Sequence, residues 1–424
     1  MIVEDRFAPH LRWNVTLLGL DMALFVGGIS FSAWTTILPL YVRHLSGSNL
    51  VLGLMPAIRN LGIYLPPIFV SAYVERLLLY KPYVLLWTIW ERLPYLLLAG
   101  ATVWLWPQHP TLLLLTFFVL LGTSTVAGGV CTPAWLQMVS LMIPMRLRGR
   151  FFGMASGLGG LLAVAGAAMT AALLRRYPFP TNFALCFLAT FVFLCLSFAA
   201  LAFGREPANP GLTRRAPPRP FWSYLRTLPP LLRRERNFAV FLLASIFANL
   251  GMAISPFLAV AASRNLHVSD AQVGIYSGVL VATATLGSVG WGWLGDHAGY
   301  RLVLLAGTLA GLLSLSLAVV ALDISSATLF FAVFAALGAY SSAIQLASFT
   351  VVTEFGTEGE RPTYIALSSL ALAPVALVAP ILGGALADRL GYAAIFLGTC
   401  VALLCACALF AFAVRDPRTA HVSG

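Results

Sequence analysis

The chain has 424 residues, of which 60% are hydrophobic and only 10% charged, and its mean hydropathy is +0.89. Soluble domains carry about 25% charged residues, so this composition excludes a soluble protein and indicates an integral membrane protein. The net charge of +11 then needs an explanation other than nucleic acid.

Apolar segments long enough to cross a bilayer, which takes roughly 20 residues as a helix, run near 14–41, 50–73, 83–105, 111–142, 151–174 and 181–203. The first is too long and too uninterrupted for a cleaved secretory signal. Six more lie near 238–262, 271–294, 302–322, 326–352, 363–387 and 393–414. Twelve spans in two sets of six follow, an all-α membrane protein with an N-terminal bundle over 1–203 and a C-terminal bundle over 238–424. Between them, 204–237 is rich in proline and arginine and reads as a linker, with Phe221–Arg226 as a candidate interfacial segment.

Lysine and arginine concentrate in cytoplasmic loops. The termini and the loops after even-numbered spans hold 19 of them and the opposite loops 5. Both termini and the linker are therefore expected in the cytoplasm, and the positive charge is mostly topology. The six cysteines all fall inside apolar runs without metal-ligand spacing and read as core residues.

An internal repeat ties the halves together. From Gly53 and from Gly274 the chain reads "GLMPAIRNLGIYLPPIFVSAYVER" and "GIYSGVLVATATLGSVGWGWLGDH", each with an acid 22 residues on, Glu75 and Asp296. The second continues as "GWLGDHAGYR", with Gly292, Asp296, Gly299 and Arg301 in a GxxxDxxGxR pattern, read as a loop. This pattern resembles the loop signature of the major facilitator superfamily between spans 2 and 3 and again between 8 and 9. "RLRGRFFG" after span 4 and "ERPTYIALS" after span 10 sit at matching places, whereas His297 and Leu78 depart from the family's pattern. The resemblance implies two pseudo-symmetric six-helix bundles working by alternating access. It also implies a cytoplasmic gate in which Asp296 meets the start of span 5 near Arg148 and Arg150, while Glu75, beside Arg76, meets span 11 near Arg361 and Pro362.

Four ionisable residues lie well inside the spans: Asp21, Arg59, Glu91 and Arg92. Buried charges are costly and normally paired. Glu91 and Arg92 point about 100° apart on a helix and are not expected to pair with each other; by depth Arg92 matches Asp21, and Glu91 could reach Arg59. Pro94 frees a carbonyl one turn back, which favours a polar partner nearby. In the family that the chain resembles, spans 1, 4, 7 and 10 line the path and spans 3 and 6 support it, which makes Glu91 and Arg92 structural ion-pair residues. On span 1, Asp21, Gly28, Ser32 and Thr35 form one polar stripe. Asn60 and Tyr64 on span 2, Trp135 and Gln137 on span 4, Ser245 and Asn249 on span 7, and Ser341, Gln345 and Ser348 on span 10 complete the candidates for substrate or coupling. Small residues on a face serve equally as helix-packing positions. Asp21, with Arg59 or Arg92 as counter-charge, is either the proton-coupling carboxylate or part of a structural set bracing spans 1 to 3.

No histidine lies inside a span, and "GMASGLGG" follows no strand, so it reads as helix packing and not a nucleotide loop. "APILGG" in span 11 resembles a drug/proton antiporter motif that belongs in span 5. No acid, base and nucleophile cluster at a membrane edge as an enzyme needs. The reading is a monomeric secondary transporter in the cell membrane, without cofactor or nucleic-acid partner, exporting amphipathic, neutral or apolar small molecules against protons. A proton-coupled importer of sugar-like or other polar solutes and a transport-inactive sensor are the alternatives.

Overall fold

The computed structural model describes residues 10–74, 76–207, 235–355 and 361–414. Glu75, the side chain of Arg361 and linker residues 208–234, with the Phe221–Arg226 stretch, lie outside the described residues. Described are α1 (Leu11–Ile29), α2 (Ile37–Leu45), α3 (Asn49–Tyr64), α4 (Pro66–Val74), α5 (Lys81–Leu105), α6 (Pro110–Met142), α7 (Met145–Arg176) and α8 (Thr181–Phe203). The second half holds α9 (Arg236–Asn265), α10 (Asp270–Ala298), α11 (Tyr300–Asp323), α12 (Leu329–Glu354), α13 (Arg361–Leu390) and α14 (Tyr392–Ala408). Eleven described segments are long and apolar enough to cross a membrane. α5 has the length, 25 residues, but carries Glu91 and Arg92 at its centre.

Spans 1 and 2 are not the single helices expected. Span 1 breaks after a 3-10 turn at Ser30–Ser32 and restarts as α2, which puts Pro39 in a first helical turn where its missing N–H costs nothing. Span 2 breaks at Leu65 because Pro66 and Pro67 begin α4 for the same reason.

Contacts divide the chain into two units, Met1–Ala33 with Ile58–Pro218, and Trp34–Ala57 with Arg219–Gly424. In the first, α1 packs on α7 and α8, and α5 on α6 and α8. A core of Leu18, Val74, Tyr80, Val84, Ala134, Met138 and Phe151 joins its helices. Gly62 and Gly129 bring two backbones together where a side chain on either would strike the other helix. Gly159 of "GMASGLGG" packs on Ala23 and Val26, as a helix-packing position does.

Glu206, just past α8, accepts the Tyr80 and Lys81 amides at 2.8 and 2.7 Å, capping the start of α5, while Lys81 Nζ donates to the Gly204 carbonyl at 2.8 Å. Burial lifts the Glu206 carboxyl above its ordinary range, against the pull of those amides and of Lys81. A raised folded-state value means a contribution to stability that is full below the unfolded value of about 4.3 and lost as pH rises through the folded one. Glu206→Gln is expected to flatten that fall, measured as melting temperature against pH.

In the second unit, α11 and α10 pack on α12, and α9 on α13 and α14. Phe238, Phe241, Phe355 and Tyr364 form one aromatic cluster, and Tyr276 with Phe330, Phe331 and Phe334 another. The hairpin from α2 into α3 is tied to this unit by polar bonds. Asp388, near the end of α13, accepts Ser48 Oγ at 3.0 Å and the Asn49 and Leu50 amides at 2.9 and 3.1 Å, so it caps α3 from another helix. Arg264 donates to the Gly47 carbonyl at 2.6 Å and to Asn49 Oδ1 at 3.1 Å, which Tyr392 also reaches at 2.5 Å. His44 Nε2 lies 2.7 Å from Asp270 Oδ2. The "APILGG" glycines serve this crossing: Gly384 faces the Asn49 backbone, and Pro380 faces Gly53. Asp388→Ala is expected to cost about 1 kcal/mol and to speed amide exchange at Asn49 and Leu50.

The GxxxDxxGxR stretch is helical, not a loop. α10 runs to Ala298 and α11 begins at Tyr300, leaving Gly299 alone between them at φ 86°. Only glycine takes that conformation cheaply, and it makes a one-residue connection possible.

A buried carboxylate–arginine site in the N-terminal unit

Asp21 sits just past the middle of α1 and is 4% exposed. A carboxylate removed from water needs donors, and it has two: Ser197 Oγ at 2.6 Å from Oδ1 and Trp135 Nε1 at 3.4 Å from Oδ2. Ser197 also accepts from Arg92 Nη2 at 3.0 Å. One hydroxyl thus joins Asp21 on α1 to Arg92 on α5, and it comes from α8. Arg92, also 4% exposed, donates from its other two nitrogens to the Leu194 carbonyl at 2.7 Å and the Thr88 carbonyl at 3.0 Å. Phe25 and Phe198 flank its guanidinium at 6.0 and 5.6 Å.

Glu91 and Arg92 do approach each other, against expectation: Glu91 Oε2 lies 3.7 Å from Arg92 Nη1. The 100° rule holds for the directions in which the side chains leave the helix. Arg92 is long enough to fold back one turn to Thr88, which returns its charge to the level of Glu91. The Glu91 carboxylate otherwise takes one weak donor, Thr88 Oγ1 at 3.3 Å, and stays 20% exposed. Next to Trp90, whose usual donor Pro94 removes, the Glu91 carbonyl accepts Ser124 Oγ at 2.9 Å.

Asp21, Glu91 and Arg92 all open on one cavity of about 310 Å³, with Thr88 and Trp135 beside them and Phe25, Val26, Val84, Cys131, Leu136 and Leu201 as apolar walls. The arrangement can hold a proton or a charged group on a carboxylate in a largely apolar pocket, with a guanidinium beside it.

Residues 238–424 match the sequence model described as the Major Facilitator Superfamily. No curated protein matches the chain. Among solved structures it is similar to a bacterial homologue of the human lysosomal transporter Spinster, in an inward-facing and unoccupied conformation (TM-score 0.71, 17% identity, 97% of this chain and 98% of that one). It is also similar to the nucleoside transporter NupG (0.68, 12%, 94% and 98%) and to a D-xylose–proton symporter (0.67, 14%, 96% and 97%). The chain has the major facilitator fold.

The span 1 stripe faces α8. Asp21 meets Ser197, Gly28 lies against Thr190 and Phe193, and Ser32, fully buried, accepts from Thr190 Oγ1 at 3.2 Å. Thr35 falls in the turn beyond the helix break. The stripe is a helix-packing face, and of its members Asp21 opens on the cavity. Arg59 and Asn60 are half-buried, with Arg59 close to Tyr64 and Tyr95, and the Tyr64 side chain is 54% exposed. Trp135 joins the site, whereas Gln137, two residues on, does not line the cavity.

In the second unit Asn249 donates to the Ser245 carbonyl at 2.8 Å, Ser341 to the Gly338 carbonyl at 3.0 Å, and Gln345 is exposed. Among the described residues, the buried hydroxyls of Ser245 and Ser348 make no hydrogen bond. Of the residues expected at a gate, Asp296 accepts from Tyr300 at 3.1 Å, and Arg148 caps the end of α6 through the Ser140 and Ile143 carbonyls. Arg301 donates to the Phe410 and Ala411 carbonyls of the π-helical turn, Leu409–Ala413, that follows α14. Arg76 and Arg150 are exposed, and Gly292 lies within α10. Ser197 escaped the sequence reading. Nothing distinguishes a single serine in "FLCLSFAALAF" from a packing residue except a carboxylate on another span needing a donor at its depth.

Proposed function

We propose that this protein is a secondary active transporter of the major facilitator type in the cell membrane, with both termini cytoplasmic, that exports amphipathic small molecules in exchange for protons. The observation that carries the reading is Asp21, a carboxylate nearly closed off from water and held by Ser197 and Trp135 on the wall of an apolar cavity. A group so placed changes its proton occupancy when the surrounding bundle opens to one side or the other, and Arg92 supplies the compensating charge through Ser197. The apolar walls favour export. Compounds that dissolve in such walls also cross bilayers unaided, so a carrier is needed only to drive them outward.

The test is reconstitution into liposomes with an imposed pH gradient and a panel of fluorescent amphipathic compounds. Accumulation that follows the gradient and collapses with a protonophore is expected. Accumulation unaffected by the protonophore would overturn the proton coupling.

A further inference from the structure

The cavity of the N-terminal unit contains two carboxylates and one guanidinium among its lining residues. Arg92 is committed: three of its nitrogens donate at 2.7–3.0 Å to Leu194, Thr88 and Ser197, and the Ser197 bond ties it to Asp21. Glu91 receives no hydrogen bond from it, only the 3.7 Å approach at Oε2. Its other oxygen, Oε1, points at Gly128, where an added methyl would stand 2.9 Å away. The carboxylate therefore extends into space that a side chain at position 128 would fill, and the Glu91 side chain stays 20% exposed while that of Arg92 is 5% exposed and Asp21 is buried. A carboxylate in excess beside a cavity draws a positive charge.

A bare Ca²⁺ or Mg²⁺ ion needs about six oxygen donors, no group of three or more His, Cys, Asp or Glu among the described residues is placed to hold a metal ion, and the cavity walls include Phe25, Val26, Val84, Cys131 and Leu136. Such walls suit the body of an organic ion, and aromatic rings attract a weakly hydrated cation. We propose that Glu91 is the recognition residue for an organic monocation, a protonated amine or quaternary centre on an apolar body, whose positive charge sits at this carboxylate. The inference rests on the reading of the cavity as the transport site, and it divides the acids: Asp21 handles the proton and Glu91 the cargo.

The test uses full-length protein in nanodiscs with tetraphenylphosphonium as the cation and triphenylphosphine oxide as a neutral probe of similar shape. Glu91→Gln is expected to weaken tetraphenylphosphonium binding about tenfold or more and to leave the neutral probe unchanged, which also shows that the cavity is folded. Gly128→Ala, which crowds Oε1 while keeping the charge, is expected to weaken the cation in the same selective way. Equal binding of tetraphenylphosphonium by wild type and Glu91→Gln, or equal loss of both probes, would overturn the proposal. Flux in liposomes separates the two readings. Selective loss of cation binding without any pH-driven flux in the wild type leaves the recognition role standing and removes proton-coupled transport. Flux with cation binding undiminished in Glu91→Gln does the reverse.

Discussion

Replacing Asp21 with asparagine is expected to reduce pH-driven accumulation to the level of protein-free liposomes while exchange of labelled for unlabelled substrate continues. Asparagine keeps the shape and accepts a hydrogen bond from Ser197 through its amide oxygen, so the contact that aligns α1 with α8 is retained. What is lost is a site that binds a proton in one conformation and releases it in the other. Exchange needs only the substrate-loaded carrier to reorient, and net movement needs the proton step as well. Ser197→Ala tests the same idea from the other side: removing the shared hydroxyl unlinks Asp21 from Arg92 and should shift the pH at which transport is half-maximal without abolishing flux. If Asp21→Asn transports at the wild-type rate under a pH gradient, Asp21 belongs to the structural brace and the coupling group lies elsewhere.

The difference between what sequence and structure reveal follows from the range of each interaction. The spans are legible because each is a continuous apolar run, and α8 begins and ends where hydropathy places it, at 181 and 203. The breaks in spans 1 and 2 leave hydropathy unchanged; Pro39 and Pro66 announce them only as helix starts, and a proline inside a membrane span reads just as well as a kink. Asp21, Glu91 and Arg92 stand out by rarity alone, but their pairing depends on reach. A rule for side-chain direction cannot foresee Arg92 folding back to Thr88. Family resemblance assigns spans 3 and 6 to support, yet Arg92 and Ser197 on those spans hold Asp21, and Glu91 of span 3 lines the cavity.

Arg92→Met should destabilise the N-terminal unit by about 3–5 kcal/mol, because it leaves buried carboxylates without their counter-charge. Methionine fills much of the same volume, so packing against Phe25 and Phe198 changes little and the loss is electrostatic. The Leu194 carbonyl also loses a donor but keeps its place in the α8 ladder. If the penalty comes from Asp21, the double variant Asp21→Asn/Arg92→Met should recover part of it, with a coupling energy of about 0.5–3 kcal/mol in a double-mutant cycle measured by equilibrium unfolding in mixed micelles. A matching cycle with Glu91→Gln should give a smaller coupling, since Glu91 meets Arg92 only at 3.7 Å and is partly exposed. The ratio of the two couplings therefore reports which acid the guanidinium serves. A larger value for Glu91 would mean that Arg92 neutralises the exposed acid, and would contradict a bridge through Ser197 in which Asp21 and Arg92 act as one unit.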